Sequence, residues 1–514
     1  MGGSIVAARC AEAGKRVLVL EKGSGPVAVP RRKGLMARAL NEYDNRSGER
    51  WPKELWVRRK HGAAYREVNP LLGLGPGGSG RLYGAAMARG HRKDFECDFQ
   101  PAQWGGGGEA ALNNSWPVSY DAFLPAYREA EKLLGLVGTR DPTDPDDDAE
   151  LGVPPKLSPA HEGIVEQLVA NGRHPYRMHV AIAYKPGCSE CQGSTCERDC
   201  KAHGFNRALQ PAMARQAPVD LVAGTVLDTI EKSADGWSVG YTDAQGEAHN
   251  VTAKTLVLAA GALNTPRILQ GQPAIWGDDQ VPYLIGRGLM FHASDIFAVS
   301  PPDPARLFGA RKVLAFRDHY FDGVMPLAEC QSLGMVAKAG MISNFLSNRL
   351  RLAGIDLGKF GKLAVRPAGM IAERLFAGAE LFNGVLQDLP YIDNRVVTEI
   401  DGDGRERIAI TYRPRAEMIT RIKRFRRLMS EAFSPLDVRF LSATGEPNLG
   451  HPMGTCRMGS DPAQSVVDEA GQVWDQPGLY VADASVFPSS LGINPALTVA
   501  AHALRVAQAI EAQP

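Results

Sequence analysis

Near the carboxyl end, His451 sits in a loop flanked by glycine and proline (LGHPMGTCRMGS), and Asn494-Pro495 opens a helix after a Ser/Pro/Gly loop. A histidine takes a hydroxyl proton at ordinary pH. An asparagine hydrogen-bonds a developing alkoxide but cannot act as a base. Together they suit removal of hydride from an alcohol. Proline is well placed at the first helical position, and asparagine is a good N-cap. The amide dipoles of that helix stabilise an anion lying ahead of it. A second cluster is Cys188, Cys191, Cys196 and Cys200. Four thiolates at this density suit structural zinc or an iron–sulfur cluster, and equally free or paired thiols in a surface loop. Cys10, Cys97, Cys330 and Cys456 are scattered and read as reduced thiols.

The amino end must position a ligand. Residues 4–13 predict a short apolar helix stopped by Gly14, and 16–20 a buried strand ending in Glu21. This is the second half of a βαβ dinucleotide unit. Glu21 follows Gly3 by 18 residues, the right distance for a ribose hydroxyl. The first strand and first two glycines of G-x-G-x-x-G are absent. The expectation is a start placed too late, with a central strand missing and a sheet edge exposed. The alternative is an ordinary αβ unit beginning here.

Further along, residues 73–90 hold a Gly-rich loop. Residues 118–136 predict an exposed helix striped by Phe123, Tyr127, Ala130 and Leu134. Residues 139–159 read as an Asp/Pro-rich surface loop. Residues 219–252 alternate as strands, 256–260 form a buried strand entering Gly261, and LYVAD near 480 is another. The segment 343–382 is mildly basic and apolar (Phe345, Leu346, Leu350, Leu352, Phe360, with Arg349, Arg351, Lys359, Lys362). It suits a membrane-surface helix, a lid over an apolar substrate, or an ordinary packed helix pair.

Composition excludes several classes. The chain has 514 residues, 44% hydrophobic, with 58 Lys+Arg against 57 Asp+Glu and net charge +1. That length suits two to four domains. A neutral balance gives no nucleic-acid footprint, and this hydrophobicity argues against disorder. No apolar run reaches the length of a spanning helix. No leader opens the sequence as given, so the expected location is cytoplasmic, conditional on the start.

Four stretches resemble the glucose–methanol–choline (GMC) family of FAD-dependent oxidoreductases. They are 2–22, GPGGSGRLYGAAMARGHRKDF at 75–95, LVLAAGALNTPRIL at 256–269, and the block 449–507, in family order along the whole chain. The resemblance implies an α/β fold, with a Rossmann-like FAD/NAD(P)-binding domain from 1–100, 201–298 and 441–514. A second α+β substrate domain, built on an antiparallel sheet, would take 101–200 and 299–440 and carry the cysteine loop 188–200. His451 matches the active-site histidine of HPxGTxRMG, and Asn494 the second catalytic position. Gly2, Gly3 and Ser4 match the residual dinucleotide motif, and Glu21 the ribose acid. Gly77, Gly78, Ser79, Tyr83 and Gly84 match the loop beside flavin and pyrophosphate, although the family often has Asn where Tyr83 stands. Val226 matches the backbone contact to adenine, and Ala260 and Gly261 the turn near the adenosine half. Asp483 and Ala484 match the ADAS motif near the ribityl chain and phosphates. Pro495 and Thr498 begin the helix aimed at the isoalloxazine. His502 and His292 are expected to be structural, and no covalent-attachment motif surrounds His91, so FAD is expected to bind non-covalently.

The implied reaction oxidises CH–OH in an alcohol, sugar or sterol-like small molecule. His451 takes the proton, hydride passes to flavin N5, and Asn494 orients the alkoxide. Oxygen, a quinone or a carrier protein would accept the electrons. Two alternatives stand. The spacing Cys191-x4-Cys196-x3-Cys200 resembles the cluster loop of membrane-linked sugar dehydrogenases, which implies an iron–sulfur flavodehydrogenase. The incomplete dinucleotide motif implies a non-catalytic fragment that cannot retain FAD.

Overall fold

The computed structural model describes residues 1–25, 55–58, 62–68, 70, 72–105, 110–276, 281–335, 339–355, 357 and 364–513. Helix α1 (Gly2–Glu12) is buried along most of its length through small residues, Ala7, Ala8 and Ala11 among them. Gly14 follows it at φ 84°, the left-handed stop its sequence predicts. Strand β1 (Val17–Glu21) comes next. Helix α2 (Tyr120–Leu134) is capped by Ser119, whose Oγ accepts the N–H of Ala122 at 3.2 Å. Expected to be exposed, α2 instead buries Phe123, Tyr127, Ala130 and Leu134 completely. An apolar stripe of that width needs a partner, and the carboxyl-terminal helix supplies it. Strand β2 (Val219–Ala223) runs parallel to β1, Val17 facing Val219. An antiparallel three-stranded unit spans Val226–Ser233, Gly236–Thr242 and Ala248–Ala253. Strand β3 (Leu256–Leu258) is shorter than the sequence predicts, and Leu479–Val481 pairs parallel to it. Among the described residues the two parallel ladders remain separate.

A six-stranded sheet forms the second layer system. Its centre holds β4 (Ala293–Val299), β5 (Cys330–Ser332) and β6 (Glu380–Leu386). The order is Val438–Phe440, β4, β6, β5, Leu314–Phe316 and Tyr176–Arg177, antiparallel throughout. Helix α3 (Ala416–Phe433) covers one face, burying Phe297, Phe382, Phe425 and Phe433. Gly384 lets it approach, because a Cβ there would lie 2.3 Å from the Phe425 ring. Strand alternation then puts Ser294, Ile296, Gln331, Asn383 and Val385 on the opposite face. An α/β unit with parallel strands beside a separate antiparallel sheet is the fold class the sequence predicts. The chain closes with β7 (Leu479–Val481) and α4 (Ala496–Glu511), which packs on both α1 and α2.

One further expectation needs correction, and one is met by its packed-pair reading. The loop 139–159 is not simply solvated. Asp141 and Asp147 are buried, and Arg89, the partner of Glu131 at 2.6 Å, also bonds Asp148 at 2.9 Å. The basic segment 343–382 holds two helices packed together, Ala339–Leu352 and Arg366–Leu375. Phe360, Lys359 and Lys362 lie outside the described residues.

Candidate active site

His451 is held by backbone on two sides. Met453 and Met290 exchange N–H···O bonds at 3.1 and 3.0 Å, and Gly454, at φ 83°, donates to the Ala484 carbonyl at 3.1 Å. Thr455 Oγ1 donates to the Ala262 carbonyl at 2.7 Å. His451 as a whole residue is only partly buried. Burial pushes its pKa down to about 3, helped by neighbouring His292 and by the charge of Lys312. The imidazole is therefore neutral across the ordinary pH range, the state in which it can accept a proton.

His292 lies on its far side. The two Nδ1 atoms are 3.0 Å apart, with ring planes at 89°. His292 Nε2 lies 3.0 Å from the carbonyls of both Ser490 and Leu491. Those carbonyls belong to the loop that leads to Asn494, so the loop bearing Asn494 is tied to His451 through one imidazole. Predicted to be structural, His292 touches the candidate base. Its sequence signal was only its place in GLMFHAS.

Asn494 does not cap the helix. Pro495 occupies the N-cap position and α4 begins at Ala496. Its side-chain oxygen is engaged elsewhere: Gln331 Nε2 on β5 donates to Asn494 Oδ1 at 2.6 Å. No described residue accepts a bond from Asn494 Nδ2. Beside it, Gln331 Oε1 and Asn383 Oδ1 are buried without hydrogen-bond partners. Gln331 and Asn383 face each other across β5 and β6. Two buried amide oxygens without donors are unusual in a folded protein, and a bound molecule carrying O–H or N–H groups would satisfy them. Lys312 completes the polar surroundings. Its Nζ lies 3.5 Å from Gln192 Oε1 and from the Leu333 carbonyl, and burial pushes its pKa down to about 8.

The expected cofactor residues form a cradle that fits a dinucleotide. Glu21 Oε1 accepts the N–H of Gly23 at 2.7 Å and of Gly75 at 3.2 Å, while no described residue bonds its second oxygen. Asp483 Oδ2 accepts from the Gly261 N–H at 2.8 Å and Thr265 Oγ1 at 2.5 Å, and its Oδ1 from the Ser485 N–H at 2.8 Å. The first turn of α1 has no side-chain cap, which leaves its amides for an anion. Gly261, at φ 84°, has nothing within 4 Å of where a Cβ would stand, and Gly78, at φ 52°, has only the Gly73 oxygen at 4.0 Å. A side chain at either position would occupy open space that a ligand can use.

Other expected contacts serve packing. Gly2 and Gly3 allow close approach, with hypothetical Cβ atoms 1.8 Å from the Ala482 oxygen and 2.9 Å from the Ala259 Cβ. Ser4, in the same first turn, is only partly buried. Gly77 and Gly84 make room for His203 and for Lys312 with Gln192. Ser79 Oγ closes its loop on the Gly73 N–H at 3.1 Å. The Tyr83 hydroxyl donates to the Ala202 carbonyl. Thr498 Oγ1 is committed to the Tyr127 hydroxyl at 2.8 Å. Val226 is exposed at the start of its strand. The Ala260 N–H donates to Thr265 Oγ1 at 3.1 Å. His91 caps a short helix, and His502 Nε2 bonds the Val481 carbonyl at 2.9 Å.

In the cysteine loop, the Cys191 thiol and the N–H of Cys200, the latter at 3.2 Å, both bond Cys196 and push it down to about 4. Among the described residues, the one triad of His, Cys, Asp or Glu with donor atoms within 4.8 Å of one another is Asp243, Glu247 and His249. Cys188, Cys191, Cys196 and Cys200 are thus not gathered as three or four ligands of one ion.

The family profile of GMC oxidoreductase matches residues 398–503. The chain is 28% identical to 6'''-hydroxyparomomycin C oxidase of Streptomyces lividus and 28% to paromamine 6'-oxidase of Streptomyces fradiae, covering 99% of this chain and 89% of each relative. It is 26% identical to 2-methyl-1,2-propanediol dehydrogenase of Mycolicibacterium austroafricanum, over 79% of this chain and 77% of that one. Pyridoxine 4-oxidase from Mesorbium loti shares the fold, with TM-score 0.62 and 18% identity over 100% of this chain and 98% of that one. No described helix is long and apolar enough to cross a membrane.

Proposed function

The chain belongs to the GMC family of FAD-dependent oxidoreductases acting on CH–OH donors, and from that premise we propose that it oxidises an alcohol group on a small molecule bearing several hydroxyls. His451 accepts the hydroxyl proton at Nε2, and Asn494 donates from Nδ2 to the same oxygen. The observation that carries this reading is the bond from Gln331 to Asn494 Oδ1. With its oxygen held by Gln331, the amide turns its NH2 donors toward the substrate. A hydroxyl group is matched to both neighbours, since it accepts from Asn494 and donates to a neutral His451.

The substrate class rests on Gln331 Oε1 and Asn383 Oδ1. An apolar alcohol would leave both buried oxygens unpaired, at roughly 1–3 kcal/mol each. A polyol brings donors to them. Relatives named for paromamine and a propanediol support the same direction. Glu21, Gly78, Gly261 and Asp483, with the first turn of α1, would hold FAD without a covalent bond. The chemistry supplied there would be that of a flavin as hydride acceptor. The flavin-holding part is proposed to comprise 1–100, 201–298 and 441–514, and the substrate-holding part 101–200 and 299–440.

The test is anaerobic flavin bleaching by the FAD-loaded chain, with a sugar alcohol, a vicinal diol, a long-chain alcohol and a sterol as probes. Bleaching by the hydroxyl-rich probes is expected. Bleaching by the sterol alone overturns the substrate class, and bleaching by none overturns the reaction. Admitting oxygen or a quinone then identifies the acceptor. The His451→Ala variant should keep its flavin and lose bleaching; undiminished bleaching removes His451 from its role.

A further inference from the structure

We infer that His292 is a positioning residue that sets the tautomer of His451, so that the base nitrogen facing substrate is always the bare one. The inference rests on the role proposed for His451, and it follows from hydrogen-bond bookkeeping.

His292 is completely buried just ahead of β4. Its Nε2 meets two carbonyl oxygens, those of Ser490 and Leu491, each at 3.0 Å. Carbonyls only accept, so Nε2 must carry the hydrogen. A second proton on Nδ1 would make a buried cation with no carboxylate against it, and burial already pushes this group down to about 4. His292 Nδ1 is therefore a lone pair. It lies 3.0 Å from His451 Nδ1. A contact that short between two ring nitrogens needs one hydrogen, and only His451 can supply it. His451 is then the Nδ1–H tautomer, and its Nε2 is free to take a proton.

The one competing donor among the described groups printed against His451 Nδ1 is the Asn448 amide, and it is the weaker partner. Asn448 Oδ1 accepts the Gly450 N–H at 3.1 Å, and its Nδ2 donates to Ser294 Oγ at 3.1 Å. That orientation leaves Nδ2 3.4 Å from His451 Nδ1, too long to compete with His292. Lys312 is the remaining charge, and it opposes protonation of His451 rather than choosing a nitrogen.

The anchor is stiff. Leu491 holds φ 61°, a left-handed conformation unusual for a side chain of its kind. Ser490 Oγ accepts the Asp388 N–H at 2.7 Å and donates to the Asp388 carbonyl at 3.1 Å. Backbone strain beside a candidate site persists where the surroundings over-determine it. Here it aims two successive carbonyls at one imidazole.

The test uses two variants and two readouts. His292→Leu removes the acceptor, whereas His292→Gln retains an acceptor for His451 and donors for the carbonyls. Histidine nitrogen shifts in the chain without flavin report the tautomer directly. His451 should be Nδ1–H in the parent and in His292→Gln, and should lose that preference in His292→Leu. In the FAD-loaded chain, kcat for the best alcohol probe should fall about 10- to 100-fold in His292→Leu with KM little changed, and should largely recover in His292→Gln. An Nε2–H tautomer in the parent overturns the inference, as does an unchanged tautomer in a folded His292→Leu. Should no alcohol bleach the parent flavin, the functional reading fails while the tautomer result still stands on its own. If His292→Leu does not fold, an Nε2–H His451 in folded His292→Gln overturns the inference equally.

Discussion

The bond between Gln331 and Asn494 can be reversed by one atom. In Gln331→Glu the side chain keeps its length but changes its chemistry with pH. The neutral acid has one O–H donor and can serve Asn494 Oδ1 as the Gln331 amide does at 2.6 Å. The carboxylate only accepts, so it bonds Asn494 Nδ2 and turns the amide oxygen toward substrate. A hydrogen bond to a charged group is worth roughly 1.5–3 kcal/mol, which favours the turned amide by about 10- to 150-fold. The rate of flavin reduction should therefore fall by that factor as pH rises through the variant's carboxyl pKa. Burial at this position (Gln331 is 2% exposed) raises that pKa above the ordinary value of about 4.3. Gln331→Leu offers neither donor nor acceptor, leaves the two amide orientations nearly balanced, and should cost only about twofold at every pH. Anaerobic stopped-flow bleaching with the best polyol probe, from roughly pH 5 to pH 9, measures both variants. Overlapping profiles for the two variants would refute the orienting role of Gln331.

Lys312→Met removes the charge that opposes proton uptake by His451, and should raise the bleaching rate at neutral pH by roughly tenfold, the equivalent of one pK unit. In the parent the same relief should come as pH rises through about 8, where Lys312 loses its proton; a parent profile flat through that region contradicts it. Asp483→Asn replaces one acceptor oxygen by an NH2 group, so either the Gly261 N–H or the buried Ser485 N–H loses its partner at roughly 1–3 kcal/mol. Flavin content and thermal unfolding should both fall, the midpoint by roughly 2–10 °C; full flavin at an unchanged midpoint would mean that Asp483 does not join the two loops.

The parts legible in the sequence are those written in local pattern. The Gly14 stop, the strand ending in Glu21 and the glycine loops before 84 and after 260 depend on backbone conformations that few residues adopt. Their spacing therefore survives reading in one dimension. The His451 loop is legible for the same reason. The partners of His451 and Asn494 were not. Gln331 and Asn383 meet only because β5 and β6 pair in one register, and a slip of one residue in either strand would turn its amide to the α3 face. Lys312 looks like any surface lysine until Gly84 is seen to vacate its space. His292 reads as a core histidine because it is one; its burial is what fixes its tautomer. The helix start was misplaced at Asn494, a good N-cap residue whose side-chain oxygen is engaged by a partner 163 positions away in sequence.

On the proposed reading, two chains of hydrogen bonds end on one substrate oxygen with opposite polarity. Carbonyls fix His292, His292 fixes His451, and the chain ends in an acceptor. Gln331 fixes Asn494, and that chain ends in a donor. A hydroxyl satisfies both ends at once. A protonated amine of the same shape has donors only, so it meets Asn494 Nδ2 with the wrong polarity, and Lys312 repels its charge. Sites that hydrogen-bond a reacting group reject analogues that cannot complete the pattern by roughly 10⁴–10⁵ in kcat/KM. Replacing the reacting hydroxyl of the best probe by an amino group should therefore abolish bleaching at neutral pH. Bleaching by the amine within tenfold of the alcohol would mean that the two chains do not end on the substrate oxygen.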